Sequence, residues 1–248
     1  SPRPREAPDT YWNSTKFLAW LYNDSPVKDQ IVLNDRWGKD NPCKHGGYLT
    51  CRDHYKPKNV PKHKGEMCTR LDNDAWAYQR NMNISEVMTF VEVILELIEV
   101  VSFGGNYLLN VGLTKDGMIA PIFQERLRCV GNWLSINGEG IFATKPWRVQ
   151  MENIATTVSC LPIYNTKESA VYAFFNSWPQ DGMLELTSPV LTEKTMVTML
   201  GDPGLLKGTE GSMGKGLIIS LPQLSPGIAN MNIWTFKLQE VQGGIVSY

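Results

Sequence analysis

Apolar positions along this 248-residue chain follow two periods, and the switch falls near residue 140. Before it the spacing is helical or in short buried runs. Residues 16–22 read as a short helix closed by Asn23 and Asp24, and 31–33 (Ile-Val-Leu) as a brief buried strand opening onto a polar loop. The clearest helix spans 86–101, where Val87, Val91, Ile94, Leu95, Ile98 and Val101 share one face. Ser85 is placed to cap it and Gly104-Gly105 to end it. Residues 106–111 then read as a buried strand. Pro121 fits the first position of a further helix with Phe123, Leu127, Val130 and Leu134 on one face.

From about Pro146 the period is two. Trp234, Phe236 and Leu238 alternate with Thr235, Lys237 and Gln239, and the runs around Thr195–Met199 and Leu217–Leu221 alternate likewise. Pro-Gly turns at Pro203-Gly204 and Pro226-Gly227 separate them. The pattern predicts an α/β segment over 1–140 with a parallel sheet, then an all-β segment over 147–248 forming an antiparallel β-sandwich that folds by itself. A closed (β/α)8 barrel takes about 250 residues, so an alternating segment of about 140 would supply only its later strands. Such a partial TIM barrel should be a curved open sheet with Ile31 and Leu33 facing its interior. Its unpaired edges would favour association, including homo-oligomers.

Charge narrows the function. Lysine and arginine number 24 against 25 acidic residues, a net charge of -1, so no basic footprint for nucleic acid is present. The longest apolar-rich stretch, 87–101, is interrupted by Glu92, Glu96 and Glu99, so no membrane span is expected. Five cysteines leave at least one without a partner inside the chain; Cys43 and Cys51 are near enough to close a small loop or to remain free thiols. Sequons at Asn13, Asn23 and Asn83 incline toward a secretory route, with Pro26 disfavouring the second. The chain opens Ser-Pro-Arg-Pro-Arg, with neither Met nor an apolar leader, which fits removal of a leader or a partial sequence.

Candidate chemistry concentrates between Asn34 and Trp76. That stretch holds His45, His54 and His63, the carboxylates Asp35, Asp53 and Glu66, and Arg36, Trp37, Tyr48, Tyr55 and Trp76. Sugars are held by carboxylates and arginine on their hydroxyls and aromatic rings on their apolar faces, and glycosidases use two carboxyl groups. A solvated loop with ordinary charges has the same composition. Nine-residue histidine spacing without a Cys-x-x-Cys does not describe a zinc site. Gly104-Gly105-Asn106 lacks the Gly-Lys-Ser/Thr ending of a phosphate loop, and no Gly-x-Ser-x-Gly elbow occurs. No metal or cofactor is expected.

Seven ordered segments resemble animal alpha-L-fucosidases of glycoside hydrolase family 29. They are Asp9-Thr-Tyr-Trp-Asn-Ser-Thr, Asn34-Asp-Arg-Trp-Gly, Lys44-His-Gly-Gly-Tyr, Gly104-Gly-Asn-Tyr-Leu-Leu-Asn-Val-Gly, Thr114-Lys-Asp-Gly, Phe123-Gln-Glu-Arg-Leu and Trp133-Leu-Ser-Ile-Asn-Gly-Glu. The resemblance runs from Ala7 onward and implies the C-terminal portion of a retaining exo-glycosidase that removes terminal alpha-L-fucose from glycoproteins and glycolipids. It implies a (β/α) barrel followed by a β-sandwich, a fucosylated glycan as partner, and a lysosomal or secreted location. Arg36, Trp37, His45 and Tyr48 fall where sugar contacts are expected, and Asp53 and Glu66 are alternative acid/base candidates in loops beyond strand C-termini. By register the slight preference is Asp53.

The chain also departs from the family. The nucleophile's Trp-x-Asp-Gly segment extrapolates to about Pro2, which has no carboxylate, so the chain alone is expected to be inactive. Gly65 replaces a Trp beside Glu66, Leu113 a Pro, and Ser159-Cys-Leu-Pro162 an aromatic strand segment. The rival from another class is a non-catalytic carbohydrate-binding or protein-interaction module built on the sandwich.

Overall fold

The computed structural model describes residues 7–57, 59–152 and 162–242. Packing divides the chain into two units, residues 1–70 with 104–110, and residues 71–103 with 111–248. This is a different cut from the one by period, since part of the alternating segment joins the β-rich one.

The first unit opens with a helical turn, α1 (Asp9–Trp12), and a ten-residue helix, α2 (Ser14–Asn23). Asn13 joins them in the left-handed region at φ 54°. Its regular strands are β1 (Glu66–Arg70) and β2 (Asn106–Asn110), paired in parallel with Glu66 opposite Asn106 and Arg70 opposite Asn110. A single parallel bridge from Leu49 to Gly65 extends this arrangement.

Three expectations need correction. Residues 31–33 form no strand: the Leu33 carbonyl accepts from Gly47 and Tyr48 N–H in a loop crossing, and Val32 is exposed. Gly46 permits that crossing, because a Cβ there would lie 2.9 Å from the Asn34 backbone. β2 is not a buried strand; it is only partly covered, with Leu108 at 47% exposure, since one neighbouring strand shields one side. Glu66 stands at the start of β1 rather than beyond a strand's C-terminal end, whereas Asp53 does lie in a turn.

The second unit contains α3 (Phe90–Ser102) and α4 (Pro121–Asn137). Thr89 caps α3 and Glu92 reaches back to the Thr89 N–H, so the helix starts four residues later than its apolar face suggests. Ser85 instead sits in a separate 3-10 turn capped by Asn83. Pro121 does occupy the first turn of α4.

Among the described residues nine strands follow: β3 (Lys145–Met151), β4 (Ile163–Lys167), β5 (Ala170–Phe175), β6 (Met183–Leu186), β7 (Met196–Met199), β8 (Asp202–Leu206), β9 (Gly208–Glu210), β10 (Leu217–Ser220) and β11 (Trp234–Gln239). A short helical turn, α5 (Pro226–Ala229), precedes the last. They form a six-stranded sheet in the order β3-β4-β5-β11-β7-β8 and a three-stranded sheet β6-β10-β9, with every pairing antiparallel. Trp147, Val171, Ala173 and Phe175 of the larger sheet share a core with Leu184, Leu186, Leu217 and Ile219 of the smaller. The larger sheet's other face packs Tyr172, Phe174, Ile163 and Ile233 against Ile94 and Ile98 of α3 and Trp133 of α4. β5 is therefore buried on both faces, and its sequence Ala-Val-Tyr-Ala-Phe-Phe is apolar throughout. The segment expected to fold alone over 147–248 thus carries a second apolar face that the two helices cover.

Candidate functional site

The first unit gathers the polar candidates through the β1–β2 pair and the Leu49–Gly65 bridge. Parallel register puts Glu66 opposite Asn106, so the Asn106 amide donates to Glu66 Oε2 at 2.6 Å. Two residues along β1, on the same face, the Cys68 thiol approaches Glu66 Oε1 at 3.7 Å. Tyr48, after the Leu49–Gly65 bridge brings its loop in, stands near Asn34 and Glu66. Burial, and then the Glu66 charge, push the Tyr48 hydroxyl and the Cys68 thiol above their ordinary values. Arg36 and Asp53 also act on the Cys68 thiol, so Arg36, Tyr48, Asp53 and Glu66 belong to one electrostatic neighbourhood.

Asp53 and Arg36 form an ion pair, Nη1 to Oδ1 at 2.5 Å. Arg36 Nε donates to the Thr50 hydroxyl at 2.8 Å, and Nη2 is buried without a hydrogen-bond partner among the described residues. Beneath them lies Asp35, fully buried. Burial alone would raise its carboxyl, but hydrogen bonds from Cys43 N–H, Thr50 N–H, the Thr50 hydroxyl and Cys51 N–H hold it below the ordinary 3.8. Cys43 and Cys51 are joined in a disulfide, and Cys43, Cys51 and His54 all have left-handed backbones. Asp35, Cys43 and Cys51 are the one group among the described residues with metal-ligand spacing, and there both sulfurs are spent on each other.

Trp37 leads away from this cluster. Its indole N–H donates to the Asn34 carbonyl at 3.1 Å and its ring tilts against Phe17 at 5.6 Å. Trp12, Phe17, Trp20 and Trp37, with Asn13 and Arg36, line a groove of about 750 Å³. His45 is exposed in the disulfide loop, and its backbone N–H donates to Asn41. His54 faces Thr69 and Arg70, at 3.0 and 2.9 Å. Of the residues picked from sequence, Arg36, Tyr48, Asp53 and Glu66 come together; Trp37 lines the groove and His45 stands at the surface. Pro2 and residues 159–161 lie outside the described residues.

Thr50, Cys68 and Asn106 belong to the cluster and were not picked out from the sequence, and Asp35 was noted there only as one of the stretch's carboxylates. Asn106 reaches Glu66 only because the parallel register pairs these two residues, which the sequence alone did not specify. Thr50 had no signal: a lone threonine between Leu49 and Cys51 does not announce which hydroxyl contacts it will make.

A sequence model described as "Alpha-L-fucosidase" matches residues 3–139, and one described as "Alpha-L-fucosidase C-terminal domain" matches residues 150–239. The chain is 57% identical over 238 residues to the tissue alpha-L-fucosidase of Homo sapiens, covering 96% of this chain and 50% of that protein. With the plasma alpha-L-fucosidase of Homo sapiens it shares 45% identity over 220 residues, or 88% of this chain and 46% of that one. The Thermotoga maritima alpha-fucosidase in complex with fucose superposes at a TM-score of 0.71, with 24% identity over 94% of this chain and 50% of that chain, a likeness of fold. The chain spans about half the length of the curated relatives it matches. It is thereby a member of the alpha-L-fucosidase family, corresponding to the C-terminal half of its tissue-type relatives.

Proposed function

We propose that this chain carries the acid/base and sugar-contacting part of a retaining alpha-L-fucosidase, with Glu66 as the acid/base. The observation that carries the assignment is the unequal bonding of the two candidate carboxylates. Asp53 already accepts from the Arg36 guanidinium at 2.5 Å, so proton delivery from it would break an ion pair. Glu66 accepts from a neutral amide and faces a thiol, so among the described residues no ion pair has to be broken for it to act. The register preference for Asp53 gives way to this difference. Arg36 lines the groove beside Trp37, where its guanidinium can face a sugar, and Tyr48 stands beside Glu66 to contribute another contact. Trp37 offers a ring for an apolar sugar face. In the complete enzyme an Asp attacks the anomeric carbon while the acid protonates the leaving oxygen, and water resolves the glycosyl intermediate with retention. Pro2 cannot be that nucleophile.

The parallel β1–β2 pair supports the later strands of a (β/α)8 barrel over 1–140, and the core shared by two antiparallel sheets supports a β-sandwich over 147–248. Family matches to both parts favour the hydrolase over a free-standing binding module. The substrate is terminal alpha-L-fucose on glycoproteins or glycolipids. A Cys43–Cys51 disulfide, with sequons at Asn13 and Asn83, fits a lysosomal or secreted protein. Asn83 is exposed and spends only its carbonyl oxygen on capping, so its amide nitrogen is available for a glycan.

The test is hydrolysis of an aryl alpha-L-fucoside. The chain alone should fall several orders of magnitude below a complete fucosidase, and turnover within about tenfold would overturn the reading. Co-expressed with the upstream half of a tissue-type relative, it should recover activity. Glu66→Gln should then cost about 10²–10⁴-fold. If Asp53→Asn does so and Glu66→Gln does not, the acid is Asp53.

A further inference from the structure

Arg36 is held through a relay whose direction is set by Asp35. Its Nε–H donates to Thr50 Oγ1 at 2.8 Å, and Thr50 Oγ1 in turn donates to Asp35 Oδ1 at 2.8 Å. A hydroxyl has one proton and two lone pairs, a guanidinium only donates, and an ionised carboxylate only accepts. The two ends therefore leave the Thr50 hydroxyl one orientation, proton toward Asp35 and lone pair toward Arg36. Asp35 cannot swing to relax this. It is fully buried, and its oxygens also accept the backbone N–H of Cys43 at 2.6 Å, Thr50 at 2.9 Å and Cys51 at 3.0 Å. The first and last of these belong to the two half-cystines, so the disulfide holds both donors on one carboxylate.

We propose that Thr50, oriented by Asp35, is a positioning residue that sets the angle of the Arg36 guanidinium and, through Nη1, the place of the Asp53 carboxylate. With Nε and Nη1 spent inside the protein, the plane of the guanidinium is set before any ligand arrives, and Nη2 keeps one direction. What Arg36 and Asp53 then do for a sugar rests on the proposed function; the positioning itself does not.

The experiment follows the Arg36 Nε–H resonance by ¹⁵N NMR in the full chain, assigned by its loss in Arg36→Lys. Thr50→Val keeps the shape and removes the hydroxyl; Thr50→Ser and Thr50→Ala differ from each other by one oxygen. Solvent exchange of the Arg36 Nε–H should quicken about tenfold in Thr50→Val and Thr50→Ala and stay near wild type in Thr50→Ser, with the disulfide formed in all. Unchanged exchange in Thr50→Ala, or equal exchange in Thr50→Ser and Thr50→Ala, would overturn the proposal. If Thr50→Val does not fold, the Ser and Ala pair decides. A parallel titration with fucose should show weaker binding by Thr50→Ala than by Thr50→Ser. If the wild type binds no fucose, the sugar-contacting role fails, and the Nε–H comparison still decides the positioning.

Discussion

The two packing units of this chain are ordered by different forces. Both large apolar clusters of the described residues lie in the second unit, where side chains such as Trp147, Tyr172, Phe174 and Phe236 are fully buried between layers. In the first unit Tyr11, Trp12, Phe17 and Trp20 are about half exposed, and the buried centre is a carboxylate with its ring of donors. Apolar burial is non-directional and accumulates with area. A buried polar network depends on direction, since losing one partner strands the others. The second unit should thus tolerate individual changes in proportion to area, while the first should fail at single atoms, as suits side chains that must be aimed.

The sharpest way to break this contrast is to cut the second unit where the sequence period changes. Expressed alone, 147–248 would lose α3 and α4 and uncover Ile163, Tyr172, Phe174 and Ile233. At about 1.5–3 kcal/mol each, four such side chains rival the ~5–15 kcal/mol that holds a typical domain. We expect dye binding and no cooperative unfolding from that segment, and a cooperative transition once residues 71–103 and 111–146 are restored. A sharp transition for 147–248 alone would show that the sheet needs no second cover.

Asp35→Ala should have the next largest effect, because it strands the buried N–H groups of Thr50 and Cys51, the part-buried one of Cys43 and a hydroxyl for the loss of one small side chain. A cost of about 3 kcal/mol is expected, read as faster hydrogen exchange through residues 43–54 with the second unit's amides unchanged. Wild type carries the matching acid signature. The folded carboxyl of Asp35 sits below its ordinary value, so its contribution is present above about pH 4 and is lost as pH falls through the lower folded value. Loosening of the first unit before the second on acidification is the expected order. The reverse order would place the acid-sensitive group elsewhere.

Much of the second unit was legible because its cause is repetition. Alternation at Trp234, Phe236 and Leu238 and at Leu217 and Ile219 needs only a half-buried strand to explain it, and all five are buried. β5 escaped notice because it is apolar on both faces and therefore has no period. The first unit was read less well. Ile31-Val-Leu33 has a strand's composition, but strands need partners, and here Leu33 meets a glycine loop instead. Motif residues could be placed near a sugar, yet which carboxylate Arg36 would take depended on a turn at 51–54 with left-handed residues that no local propensity forecasts. Helix starts show the same limit on a smaller scale: Thr89 and Ser85 are both plausible caps, and Glu92 settles it for Thr89 by accepting from the Thr89 N–H at 2.7 Å. Thr89→Ala should cost about 1 kcal/mol in urea unfolding of the second unit, and Ser85→Ala little.

The smallest effect expected tests whether polar contacts in the second unit carry the same weight as those in the first. Glu139 accepts from Lys237 Nζ at 2.6 Å and from the Tyr172 hydroxyl at 2.8 Å. The Lys237 hydrogen bond is the main reason its carboxyl lies below the ordinary 4.5. The pair resembles Arg36–Asp53 in length, but the Glu139 side chain is 43% exposed, and water replaces a lost partner there at little cost. Lys237→Met should therefore change stability by only about 0.2–0.5 kcal/mol at neutral pH. The sign of its pH dependence is set by the lowered folded value: the pair contributes above pH 4.5 and fades as pH falls through that lower value, so variant and wild type should converge in acid. Urea midpoints of both proteins at neutral pH and near pH 3 measure this directly. A loss above about 1.5 kcal/mol would mean that this contact is as desolvated as the Asp35 network, and the contrast between the units would no longer hold.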